Sequence, residues 1–170
     1  VFGIINVNNL KINNMGGRSG QSVGNAGSSE INGNSLSSYK SVADSAIKEF
    51  GIKGKISITE SKAFSNGGYA TQNIANYDNG GNPFKNEIRI NPNTKNIKEV
   101  IRHELKHISQ GQKGQYYQKK DENGVRYHYW EGKKVISSDD FRKLNNNLSK
   151  GNNYAKYQSL PWEKDARSTQ

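Results

Sequence analysis

The segment NTKNIKEVIRHELKHISQGQK, residues 93–113, constrains the fold more than any other stretch of the chain. Ile97, Val100, Ile101, Leu105 and Ile108 recur at spacings of three and four, the pattern of an amphipathic helix that must bury one face. Asn93 or Thr94 is placed to cap its first turn, and Gly111 to end it. The chain has three histidines, and two of them, His103 and His107, lie four apart on this helix. At that spacing both imidazoles point the same way. The competing reading is a solvated helix face that happens to carry two histidines.

The rest of the chain sets the frame for that helix. A length of 170 residues supports one sizeable core. Hydrophobic residues make up 31% and the mean hydropathy is -0.97, a polar balance, yet the periodic segments are those of a folded domain. Residues 1–35 read as a flexible Asn/Gly/Ser-rich leader or linker, either a propeptide or a tether, and residues 36–170 as the domain. LSSYKSVADSAIKEFGI, from Leu36, has helical spacing with Gly51 as its stop. KISITE (55–60), GYATQNIANYD (68–78) and NEIRINP (86–92) read as strands. Beyond the central helix the chain turns aromatic and extended, with reversals at Asn123-Gly124 and Glu131-Gly132. Ser137 and Asp140 are spaced to start a further helix, and Pro161 stands where a last helix begins.

There is no cysteine, which excludes disulfides, thiolate ligands and thiol nucleophiles. No apolar run approaches a membrane span. VFGIINV is too short for the core of a signal peptide. The net charge of +10 favours an anionic partner such as a nucleic acid, a cell-surface polymer or an acidic protein or peptide. The excess is concentrated in residues 95–170, with 16 basic and 9 acidic side chains. Nucleic acid is weakly supported, because the basic residues are scattered among acidic ones, without the tight Arg-rich stripe or interleaved aromatic platform of a strong nucleic-acid binder.

Glu104 follows His103 directly and completes the H-E-x-x-H pattern. Two such histidines supply two of the nitrogen or oxygen donors that zinc takes, and a carboxylate beside the open face can accept a proton from activated water. A third ligand must come from elsewhere. His128, Glu122, Glu131, Glu163 and Asp165 are the candidates downstream. Glu163 is favoured, because Pro161 and Trp162 give its short helix a rigid entry and an anchor. His128, in the strand-like YHYW, is the competitor, and it could instead donate a hydrogen bond to a developing oxyanion. Tyr154 and Tyr157 are further oxyanion candidates. The scarcity of clustered Asp and Glu around the motif argues against a magnesium-dependent nuclease.

HELKH together with the late PWEKDA resembles the small gluzincin-like zinc metallopeptidases, in which H-E-x-x-H is paired with a glutamate on a later helix. The nearest likeness is to compact metallopeptidase domains of phage, mobile-element and polymorphic-toxin proteins, with a glutamine soon after the second histidine and a late E-x-x-A. The resemblance implies an α+β, minimal zincin-like fold: a small, mostly antiparallel sheet packed on the motif helix, with additional C-terminal helices. It implies zinc held by His103, His107 and Glu163, Glu104 as general base, and His128 or Tyr157 steadying the oxyanion. Gln110 matches the glutamine, and Ala166 allows close approach of the last helix. In such a core an edge strand lines the cleft, and NEIRINP is the segment best placed for that.

The implied activity is zinc-dependent endopeptidase action on a protein or peptide substrate. A secreted or delivered effector, met by an inhibitor or immunity protein, fits the toxin likeness. The chain departs from the larger gluzincins where they carry an acidic residue four after the ligand glutamate: Arg167 stands there, with Asp165 displaced. A metzincin Met turn is excluded, because Met15 precedes the motif. The alternatives are a zinc-binding structural protein of a virion or scaffold without catalysis, and a basic nucleic-acid-associated module.

Overall fold

The computed structural model describes residues 27–32, 36–62, 68–71, 75–76, 86–148 and 150–169. The first strand, β1 (Ser28–Asn32), leads through a short turn of 3-10 helix (Ser37–Tyr39) into α1 (Lys40–Phe50) and then β2 (Lys55–Glu60). β3 (Gly68–Thr71), β4 (Ala75–Asn76) and β5 (Asn86–Ile90) precede the long helix α2 (Ile97–Gln112). β6 (Tyr116–Lys120), β7 (Arg126–Trp130) and β8 (Lys133–Ser137) follow, then α3 (Ser138–Asn146), α4 (Asn153–Gln158) and α5 (Pro161–Arg167).

The α+β class expected from the sequence holds, but the sheet does not have the expected form. Two sheets are present among the described residues, ordered β1-β2-β5-β3 and β4-β6-β7-β8. In the first, which packs against α2, β1, β2 and β5 run parallel and only β3 is antiparallel. Parallel neighbours need a crossover rather than a tight turn, and α1 supplies one between β1 and β2. In the second sheet β6, β7 and β8 form an antiparallel meander, with β4 parallel to β6.

Two positional expectations are corrected by this topology. NEIRINP is not an edge: β5 lies between β2 and β3 and is paired on both sides, and β3 is the outer strand next to it. Part of the stretch read as a leader is structural, since Ser28–Asn32 forms β1; residues 1–26 lie outside the described residues. Of the strand expected at 68–78, Gly68–Thr71 forms β3 and Ala75–Asn76 forms β4, in different sheets, and residues 72–74 and 77–78 lie outside the described residues.

Each core follows from the pattern of its strands and helices. Ile56, Ile58, Ile88 and Ile90 of the first sheet are fully buried against Ile47 of α1 and Ile101, Leu105 and Ile108 of α2. Tyr116, Leu148, Tyr157, Leu160 and Trp162 form a second cluster, packed by Trp130 and Phe141. Several local signals act as read. Gly51 ends α1 at φ 66, Ser137 caps α3 by accepting from the Asp140 amide, and Pro161 occupies the first turn of α5. The start of α2 differs: Asn96, at φ 58, is its N-cap, while Asn93 and Thr94 belong to the preceding turn on Asn91. Asparagine tolerates that left-handed geometry better than most residues. Gly111 lies within α2, which ends at Gln112.

The entry to β1 is unusually close. The Gly27 amide donates to the Ile52 carbonyl at 3.0 Å, and a Cβ there would stand 2.5 Å from that oxygen and 2.9 Å from the Gly54 carbonyl. Both neighbours are backbone, so neither can rotate away. Gly27→Ala is therefore expected to destabilise the fold by about 1–3 kcal/mol, measured as a lower urea midpoint with unchanged slope.

Candidate metal centre

α2 places His103, Glu104, His107 and Gln110 on its buried side, all almost without solvent contact. α5 packs across α2 and brings the fourth acidic or basic group. Leu160 is extended at the entry to α5, Trp162 is buried as its anchor, and Glu163 falls in the first helical turn. Ala166, one turn later, is fully buried.

The histidines and the glutamate converge. His103 Nε2 and His107 Nε2 are 3.0 Å apart. Glu163 Oε2 lies 3.4 Å from His103 Nε2, and Glu163 Oε1 lies 3.3 Å from His107 Nε2. A tetrahedral ion with ligands at about 2.0–2.1 Å separates its ligand atoms by roughly 3.3 Å. The spacing thus fits a metal, and the two-nitrogen, one-oxygen donor set suits zinc. Glu163 Oε2 is also buried without a hydrogen bond, the condition of an atom with a place left for a cation. Among the described residues, His103, His107 and Glu163 are the group able to hold a metal ion.

Gln110 sets the protonation of this group. Its amide nitrogen donates to the Trp162 carbonyl at 2.9 Å and to Asp165 Oδ2 at 2.8 Å. A carbonyl can only accept, so the amide oxygen must face the other way, toward His107 Nδ1 at 2.8 Å. Nδ1 therefore carries the proton, and the Nε2 lone pair turns to the centre. Asp165 also receives Lys106 Nζ at 3.3 Å. The acidic support that seemed displaced in the sequence thus reaches His107 through Gln110. Tyr157 hydroxyl donates to Glu163 Oε1 at 2.8 Å, and Arg167 stands 3.8 Å from Glu163 Oε2.

Charge in this dry space is strongly coupled. Burial presses against protonation of His107, but the Glu163 carboxylate and, further off, Glu104 raise its pKa above the ordinary value. Burial likewise opposes ionisation of Glu163, yet the two imidazoles hold it well below the usual carboxylate range. Burial and then the charge of Glu163 push the Tyr157 hydroxyl far up, so it remains a donor. The charge of Glu104 also acts on both His107 and Tyr157, raising each pKa.

Of the sequence candidates, Glu163 joins the histidines, while His128, Glu122, Glu131 and Asp165 are not members of the group. His128 is buried in the second core, its ring centroid 4.5 Å from Phe141 and 5.9 Å from Trp162, with Nδ1 bonded to the Tyr116 hydroxyl. Tyr154 has a buried hydroxyl with no hydrogen-bond partner. The sequence pointed to Gln110 by position but not to its bridge; only the approach of α5 reveals that. The chain matches no protein-family model, no curated protein and no solved structure, so the geometry of the site itself carries the functional reading.

Two expectations follow from these contacts. Gln110→Leu, which removes the bridge to His107, should weaken any divalent-metal binding at this group about 10–100-fold in a chelator competition titration. Burial, then the charge of Arg126, lowers the pKa of His128 to about 4. The unfolded chain takes up that proton near pH 6.5. Between these values the unfolded state holds more protons, so stability falls as the pH drops from about 6.5 toward about 4. His128→Gln should remove up to roughly 3 kcal/mol of that pH dependence, read as the difference between variant and wild-type unfolding across the window.

Proposed function

We propose that the chain is a zinc-dependent endopeptidase. The observation that carries this reading is the near-tetrahedral spacing of His103, His107 and Glu163, set within an H-E-x-x-H helix. Zinc in that position would supply Lewis acidity, polarising a peptide carbonyl and making water a nucleophile at neutral pH.

The residues of the chain divide the remaining work. His103 and His107 present Nε2, and Glu163 presents its carboxylate. Gln110 keeps the His107 proton on Nδ1, and Tyr157 holds Glu163 Oε1 in place. Glu104 takes a proton at its carboxylate from the attacking water and returns it to the departing amine nitrogen. Tyr157 and His128, named from the sequence as oxyanion donors, act in this reading as positioning residues. Tyr157 works through Glu163, and His128 through the Trp162 ring that anchors α5.

A second reading rests on the depth of Glu104, which is 1% exposed. A carboxylate so enclosed also suits a metal that only braces α2 against α5. Zinc content and cleavage of an unfolded protein substrate separate the two. The native chain, purified without chelator, should hold stoichiometric zinc, and Glu163→Ala should lose most of it. Glu104→Gln should keep the zinc while lowering cleavage about 100-fold or more. Zinc with no cleavage by the native chain leaves the bracing role, and no zinc at all removes both.

A further inference from the structure

The outer face of the second sheet has a composition that its sequence order hides. Burial alternates along β6 and β7: Tyr116, Gln118 and His128 point inward, while Tyr117, Lys119, Tyr127 and Tyr129 lie on the other side. The register brings these outer residues together. Tyr117 is opposite Tyr129, Lys119 is opposite Tyr127, and Lys134 of β8 is opposite Tyr129. The Tyr117 and Tyr129 rings stack with centroids 5.0 Å apart and planes within 4°. Lys134 Nζ lies 4.0 Å from the centroid of the Tyr127 ring. Lys119 and Lys134 are exposed, and the three tyrosines are half-buried.

Charge on these strands has one sign. YYQKK, RYHYW and KKVIS contain five basic residues and no acidic one. We propose that this face binds single-stranded nucleic acid, with bases stacking on the tyrosines and phosphates meeting the lysines. Charge complementarity requires a polyanion. The flat rings select among polyanions, because every base offers a π-face and an acidic peptide offers none. A duplex keeps its bases stacked on each other, so single strands are the form that fits.

This face is composed of residues outside the metal centre, and the proposal stands or falls independently of the peptidase reading. The test uses the full chain and a fluorescein-labelled single strand of twelve thymidines, followed by anisotropy. Binding should weaken steeply with added salt. Tyr129→Ala should lower affinity about 10-fold, while Tyr129→Phe, which keeps the ring, should retain it. Lys134→Gln should reduce the salt slope, and circular dichroism checks that each variant is folded. No binding at low salt overturns the proposal. So does an affinity unchanged by Tyr129→Ala, which would mean that charge alone attracts the strand. Equal or tighter binding of a sulfated polysaccharide or a polyglutamate peptide also overturns it, and assigns the face to another polyanion.

Discussion

The Gln110 side chain is the interaction on which the rest of the site depends. It is one amide, fully buried, making three hydrogen bonds that reach His107, the backbone of Trp162 and the carboxylate of Asp165. Two of these bonds dock α5 on α2, and the third decides which nitrogen of His107 is free. Helix packing and ligand chemistry are thereby the same event. An apolar residue of similar size would preserve the shape of the contact and leave the imidazole free to turn either way. It would also leave the Trp162 carbonyl unpaired in a dry interface, where such a loss is expensive.

The same dryness explains why the centre favours a cation. Two imidazole nitrogens 3.0 Å apart cannot both present lone pairs without repulsion, and Glu163 adds a negative charge beside them. A proton can occupy the space between, and the raised pKa of His107 records that tendency. A divalent ion satisfies all three donors at once. The Tyr157 hydroxyl holds Glu163 Oε1 by a hydrogen bond, and Arg167 stands 3.8 Å from Oε2, so both oxygens meet a neighbour besides the histidines.

How much of this was legible in the sequence depended on distance along the chain. The pairing of His103 with His107, the Ser137 cap and the Pro161 helix start are local, and three- or four-residue spacing encodes them directly. Glu163 was reached through the rigidity that Pro161 and Trp162 give a short helix, a local clue to a distant contact. What failed was non-local. β1 lies in a stretch too polar to announce a buried strand, because Ile31 is the one aliphatic residue in SSEIN. Missing it hid the crossover through α1, and with it the parallel character of the first sheet. NEIRI has the alternation of a strand but nothing that says both edges are paired. The tyrosine and lysine face is likewise a product of register, for no two of its cross-strand neighbours are adjacent in sequence.

The bridge from Gln110 to Trp162 spans 52 residues. During synthesis the histidine pair therefore emerges before Glu163, and α2 passes a period with two of the three converging donors. A histidine pair alone holds a divalent ion in the general order of intrinsic affinity, without the geometry of a third donor to select among first-row metals. On the metal reading, commitment to one ion would wait until the second cluster condenses around Trp162 and Tyr157. If the group takes a metal as proposed, the order of the chain would make metal selection a late step, taken by a nearly finished fold instead of an open helix.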